Sequence, residues 1–214
     1  PDADLDEFKF SPKKLNPAGS LFDYAKLTDV SKNVISKMDA ETVYGLLLEW
    51  AKEFDKEFYD LLVADKEYAT KIFEIGRGGK KPRKDFAVWS RTKEYCSYFY
   101  DELFTPTTDY PEKVSREDIK AILTAYLDVY DITDDNSEWF NKVKSICEPL
   151  GFTTDMKAYK ADPDAFPGTV ADISTFIRQA VTGKTNSPDL YTVMQILGYD
   201  RTVERIRNVM ADLI

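Results

Sequence analysis

The chain has 214 residues, 43% of them hydrophobic and 14% aromatic, which is ample for a packed core of one large or two modest domains. It contains no histidine, so no Ser/His/Asp or Cys/His catalytic site can be built from it. The formal net charge of −9 is opposite to the basic footprint of a general nucleic-acid binder, no apolar run approaches membrane-spanning length, and no signal peptide is visible.

Residues 1–20 read as irregular, punctuated by Pro12, Pro17 and Gly19. Residues 21–38 read as two short helical pieces with a break near Thr28 and Asp29. A long helix is predicted over 39–63, with Val43, Leu47, Trp50, Phe54, Phe58, Leu61 and Leu62 as its apolar stripe. Trp50 offers a stacking platform, but its place in the stripe favours packing. A shorter helix over 68–75 adds Tyr68, Ile72 and Phe73.

Residues 76–81, GRGGKK, form a flexible basic loop and lack the Gly-Lys-Ser/Thr ending of a phosphate-binding P-loop. Seven basic residues (Arg77, Lys80, Lys81, Arg83, Lys84, Arg91, Lys93) face only Asp85 between positions 76 and 93, a local +6 that leaves −15 for the rest. Such an island on an acidic body binds polyanions locally, with salt sensitivity. Pro82 is read as the first position of a helix to about residue 104, burying Phe86, Trp89, Cys96, Phe99 and Leu103. Arg83 and Lys84 then oppose the dipole at its start, which a bound phosphate would relieve.

Two prolines in TPTTDYPE, residues 105–112, mark a linker. Ser115 is expected to cap the next helix, with Val114 and Ile119 at the staple positions and Ile122, Leu123, Tyr126, Leu127 and Tyr130 inward. Asp134, Asp135 and Asn136 lack calcium-loop spacing and read as a helix start. That helix carries Trp139, Phe140, Val143, Ile146, Cys147 and Leu150 and stops at Gly151. Residues 152–166 read as a loop with one turn of helix. Cys96 and Cys147 read as buried thiols, since a metal site needs more ligands at closer spacing.

The C-terminal stretch is the most legible. One helix buries Val170, Ile173, Phe176, Ile177, Ala180 and Val181 and ends at Gly183. Lys184, Thr185 and Asn186 follow. Ser187 is read as the N-cap and Pro188 as the first position of a second helix carrying Leu190, Val193, Met194 and Leu197 and ending at Gly198. Asp200 is expected to cap a third helix, with Val203, Ile206, Val209, Met210 and Leu213 inward. The corner between the first two collects amides, hydroxyls, a lysine and Arg178, groups suited to phosphates and base edges.

RQAVTGKTNSPDLYTVMQILG followed by RTVERI resembles the anticodon-binding region of bacterial-type glutamyl-tRNA synthetases. The shared pattern is Arg-x-Ala-aliphatic, small-Gly, a short variable stretch, Ser/Thr-Pro-x-Leu and an aliphatic helix ending in Leu-Gly. The resemblance extends back through SLFDYAKLTDVSKNVISKM and covers nearly the whole chain. It implies an all-α fold: an end of a stem-contact segment over 1–38, then helical anticodon-binding domains over 39–105 and 106–214. No persistent strand-like alternation opposes this.

The resemblance also implies tRNA(Glu) as partner. Arg178, Gly183, Lys184, Thr185, Ser187, Pro188 and Leu190 are the expected anticodon contacts, Pro188 and Leu190 through apolar contact with a base. Arg77, Lys80, Lys81, Arg83 and Lys84 are expected on the anticodon side, with Arg83 as a bidentate reader. Lys26 is expected at the stem. Many relatives place a tryptophan and an asparagine just after that lysine, where Asp29 and Ser31 stand here.

The His-x-Gly-His signature, the Lys-rich loop and a Rossmann-type Gly-rich turn are absent from this sequence. A stretch beginning after the catalytic half is expected, inactive alone, in keeping with the opening PDADLDEF. ATP and Mg would belong to the full-length ligase and no cofactor or metal to this stretch. A cytoplasmic monomer binding neither DNA nor membrane is expected. A related class I synthetase (lysyl or glutaminyl) and a helical protein-interaction module without RNA binding stay open as alternatives.

Overall fold

The computed structural model describes residues 6, 7, 9–14, 19, 22–111 and 113–213. Eleven α-helices and five 3-10 helices occur among them, with no strand; a single parallel bridge joins Thr153 and Thr169. The fold is all-α. No described helix is long and apolar enough to cross a membrane. The chain divides into two compact units, Pro1–Tyr95 and Cys96–Ile214.

The first unit is built from α1 (Tyr24–Lys37), α2 (Ala40–Phe54), α3 (Lys56–Ala64) and α4 (Lys66–Glu74), followed by a loop, a 3-10 turn at Trp89–Arg91 and α5 (Thr92–Cys96). Each of the four longer helices starts at an aspartate. The carboxylates of Asp23, Asp39, Asp55 and Asp65 accept the amides of Lys26 (3.0 Å), Thr42 (2.7 Å), Phe58 (3.0 Å) and Tyr68 (2.9 Å). A cap of this kind contributes about 1 kcal/mol. Asp55 therefore divides the single long helix expected over 39–63, although Val43, Leu47, Ala51, Phe58 and Leu62 on either side of it are all buried. Conversely, the break expected near Thr28 is not there: α1 runs through it unbroken.

Phe54 is turned outward, 65% exposed, and stacks on half-buried Trp50 with ring centroids 5.8 Å apart. Trp50 thus neither fills the core nor stands alone as a platform. The helix expected from Pro82 does not form. Phe86 instead plugs the core, edge-on to Phe73 (5.9 Å) and Tyr95 (5.0 Å), and a helix there would carry it away from both. Helical turns begin only at Trp89.

In the second unit α9 (Val170–Thr182) is central. It packs against α6 (Arg116–Val129), α7 (Asn136–Ser145), α11 (Tyr199–Asp212) and a 3-10 turn at Ser97–Phe99. Ile173, Phe176, Ile177, Ala180 and Val181 are essentially inaccessible. Its start is a reciprocal capping box between Thr169 and Asp172. A second box, between Asp135 and Glu138, starts α7, so the Asp134–Asn136 acidic run is a helix start. Ser115 caps α6, with Val114 and Ile119 buried. Trp139 is buried and donates to the Tyr126 hydroxyl (2.9 Å), whereas Phe140, expected inward, is 38% exposed.

Residues 152–166 hold α8 (Met156–Ala161) and a 3-10 turn at Pro163–Ala165. Cys96 and Cys147 are buried and in no disulfide, and burial raises the Cys147 thiol pKa. Residues 105–111, read as a linker, pack within this unit: Gln179 donates to the Asp109 carbonyl (2.9 Å) and Tyr110 meets Phe176 edge-on.

Candidate nucleic-acid interface

The C-terminal corner joins α9 to α10 (Leu190–Leu197). Gly183 ends α9 in the left-handed region (φ 69°). A Cβ there would lie 2.1 Å from the Thr105 carbonyl oxygen, so glycine is required by both torsion and space. The Thr182 hydroxyl donates to the Arg178 carbonyl (2.7 Å) and accepts the Lys184 amide (3.2 Å). Lys184 extends over the Tyr98 ring. Thr185 is exposed.

Ser187 is not the cap. Asp189 is, accepting the Thr192 amide at 3.0 Å, and α10 starts at Leu190 rather than Pro188. The carboxylate displaces the hydroxyl from that task and frees it for another. Ser187 Oγ accepts from Arg178 Nε (3.1 Å) and donates to the Pro188 carbonyl (2.8 Å). This chain fixes the half-buried guanidinium by one edge. Its terminal amino groups take no partner among the described residues.

Burial lowers the Arg178 pKa and nearby Asp189 opposes the change; a guanidinium stays charged at neutral pH regardless. The amides of Leu190 and Tyr191, at the positive end of α10, also have no acceptor among the described residues. Pro188 is buried and Leu190 is 2% exposed, so the apolar faces expected to touch a base point inward. Asp200 caps nothing; Gly198 stands at the start of α11 without a side-chain cap.

In the first unit the basic loop is closed by a hydrogen bond from the Arg83 amide to the Gly76 carbonyl (3.0 Å). Arg77 lies inside it. Its guanidinium donates to the carbonyls of Phe73 (2.5 Å), Ile35 (2.7 Å) and Met38 (3.1 Å) and lies over the Phe86 ring. It closes the ends of α1 and α4, with its Nε and one terminal nitrogen spent on those carbonyls. Arg83 forks onto Asp85 through two bonds of 2.7 and 2.9 Å, which raises its pKa. As a base reader it would first have to leave that carboxylate. Arg91 pairs with Glu94 (3.2 Å), and Lys93 with Asp55 and Glu57 (3.0 and 2.5 Å).

Four of the seven cations are thus engaged. Lys80, Lys81 and Lys84 are exposed, have no acidic partner among the described residues, and line an open cleft of about 710 Å³ with Asn33, Ser36, Lys37 and Gly78. Lys26 lies exposed in the first turn of α1. Asp29 accepts from Asn33 (3.1 Å), and Ser31 donates to the Ala87 carbonyl (2.6 Å).

The sequence reading missed Asp189, Thr182 and the pair Arg205 and Asp101. Arg205 carried a signal: in α11 it adjoins the stripe of Val203, Ile206 and Val209, and it is only 5% exposed. No cluster of three or more His, Cys, Asp or Glu able to hold a metal occurs among the described residues.

A half-buried arginine beside helix-start amides is an arrangement for polar recognition, and the segment that forms it has known relatives. Residues 169–210, containing α9, the corner, α10 and most of α11, match a family described as an anticodon binding domain. The similarity is wider than that segment. The chain is 44% identical over 210 residues to the glutamate–tRNA ligase of Acetivibrio thermocellus, covering 98% of this chain and 38% of that protein. It is 42% identical to that of Clostridium perfringens strain SM101 (99% and 39%) and 40% identical to that of Sorangium cellulosum (96% and 36%). Over its whole length, then, the chain is similar to part of the glutamate–tRNA ligases, and it spans well under half the length of these relatives.

Proposed function

We propose that this protein binds the anticodon arm of a glutamate tRNA, as the tRNA-binding part of a glutamate–tRNA ligase. The observation that carries this reading is the Arg178–Ser187 corner, with open guanidinium donors beside the helix-start amides of α10, inside the segment matching anticodon binding domains. Arg178 takes a base edge or phosphate, and the amide of Tyr191 takes an acceptor on an unstacked base. Ser187 holds Arg178 in register. Gly183 shapes the turn, and Lys184 and Thr185 flank it.

Lys80, Lys81 and Lys84 contact phosphates, which explains how a chain of net charge −9 engages RNA. Lys26 adds a stem-side phosphate contact. Activation of glutamate with ATP and Mg belongs to ligase sequence outside these residues, and the 214-residue chain alone charges no tRNA. A cytoplasmic location and a monomeric state are part of the same proposal.

The test is a filter-binding titration at low salt with glutamate, glutamine and lysine tRNAs. Tighter binding of the glutamate tRNA supports the reading. Preference for another tRNA points to a related synthetase, and failure to bind any tRNA favours a protein-interaction module.

A further inference from the structure

The geometry points to Arg205 as a positioning residue for the α9–α10 corner, a role that rests on the tRNA-binding reading above. Arg205 lies on α11 and is 5% exposed, too little to serve as an RNA contact itself. One terminal nitrogen donates to two carbonyls, Tyr98 (2.6 Å) and Val181 (2.9 Å). The other donates to Asp101 Oδ1 (2.7 Å), and the guanidinium carbon lies over the Phe104 ring, 3.8 Å from its centroid. Arg201 holds the second oxygen of Asp101 (3.0 Å) and the Phe99 carbonyl (3.2 Å).

One buried cation therefore ties residues 98–104 to the last turn of α9. This matters for the corner because Gly183 rests on the next residue, Thr105, with no room for a methyl group. The turn takes its position from residues 98–105, which Arg205 holds. Arg178, one turn earlier on α9, presents its guanidinium across that turn to Ser187. A lysine would satisfy Asp101 but could not span both carbonyls and stack on Phe104 at once.

The experiment combines hydrogen exchange with a double-mutant cycle. In Arg205→Met and Arg205→Lys, amides 183–187 should exchange faster while those of α6 and α7 keep their protection. Affinity for a glutamate tRNA should fall about tenfold in the Arg178 background and hardly at all in Arg178→Ala, since both changes act through one contact. A merely structural role would lower stability and affinity equally in both backgrounds. Unchanged exchange in the corner, or additive losses, would overturn the assignment. If Arg205→Met fails to fold, Asp101→Asn, at a side chain 59% exposed, tests the same clamp. Should the protein bind no tRNA, the tRNA reading falls, and the exchange data still decide whether Arg205 positions the corner.

Discussion

The α9–α10 corner and the 76–84 loop are both glycine-marked, basic and joined to helix ends, yet they are built on opposite plans. In the corner four groups are fixed: Gly183 by a carbonyl, Lys184 by Thr182, Arg178 by Ser187 and α10 by Asp189. In the loop only the base is fixed, by Arg77 and by the Arg83–Asp85 fork, and three lysines stand in solvent. A preorganised guanidinium can discriminate between base edges, because a misplaced partner leaves it unsatisfied. Solvated ammonium groups supply attraction that depends on charge and salt more than on sequence. The two plans suit base reading and backbone attraction respectively.

The largest expected effect separates the glycines. Gly183→Ala should cost about 3 kcal/mol or more in urea unfolding, adding a steric clash to the roughly 1–2 kcal/mol left-handed penalty. Gly78→Ala, at φ 72° but with open space around it, should cost only that penalty, about 1–2 kcal/mol. Equal losses would erase the contrast in rigidity. Next in size, Arg178→Ala should weaken glutamate-tRNA binding by about 1–3 kcal/mol with unfolding unchanged, as for a lost base contact; unaltered affinity would remove it from the site. Replacing Lys80, Lys81 and Lys84 together by alanine should lower the slope of log affinity against log salt by roughly 2–3. The same slope in the variant would show that these lysines meet no phosphate. The smallest change is expected from Arg83→Ala, about 0.5 kcal/mol or less in RNA binding, since its partner is Asp85 and such pairs contribute little net. A loss as large as that of Arg178→Ala would restore Arg83 as a reader.

The sequence was most readable where apolar periodicity and stop signals agreed. The inward faces of α9 and α10 and the Gly183 turn followed from both. It was least readable where a polar side chain had two possible tasks. Ser187 and Asp189 both suit a helix cap, and only the structure shows the carboxylate taking it while the hydroxyl turns to Arg178. Asp55 was hidden because the stripe from Val43 to Leu62 continues in phase across the break. Pro82 looked like a helix start, but Phe86 had a core to fill, and burying a phenyl ring outweighs local helix propensity. Charge counting overstated the basic island, since carbonyls and carboxylates up to 42 residues distant in sequence occupy four of its seven cations.

The most direct measurement of the central claim is anticodon discrimination. Affinity would be measured for a glutamate tRNA and for the same tRNA with a changed anticodon, using the wild-type protein, Arg178→Ala and the triple-lysine variant. The account predicts that Arg178→Ala loses the difference between the two RNAs, while the lysine variant binds both more weakly and keeps it. Discrimination that survives without Arg178, or vanishes with the lysines, would contradict it.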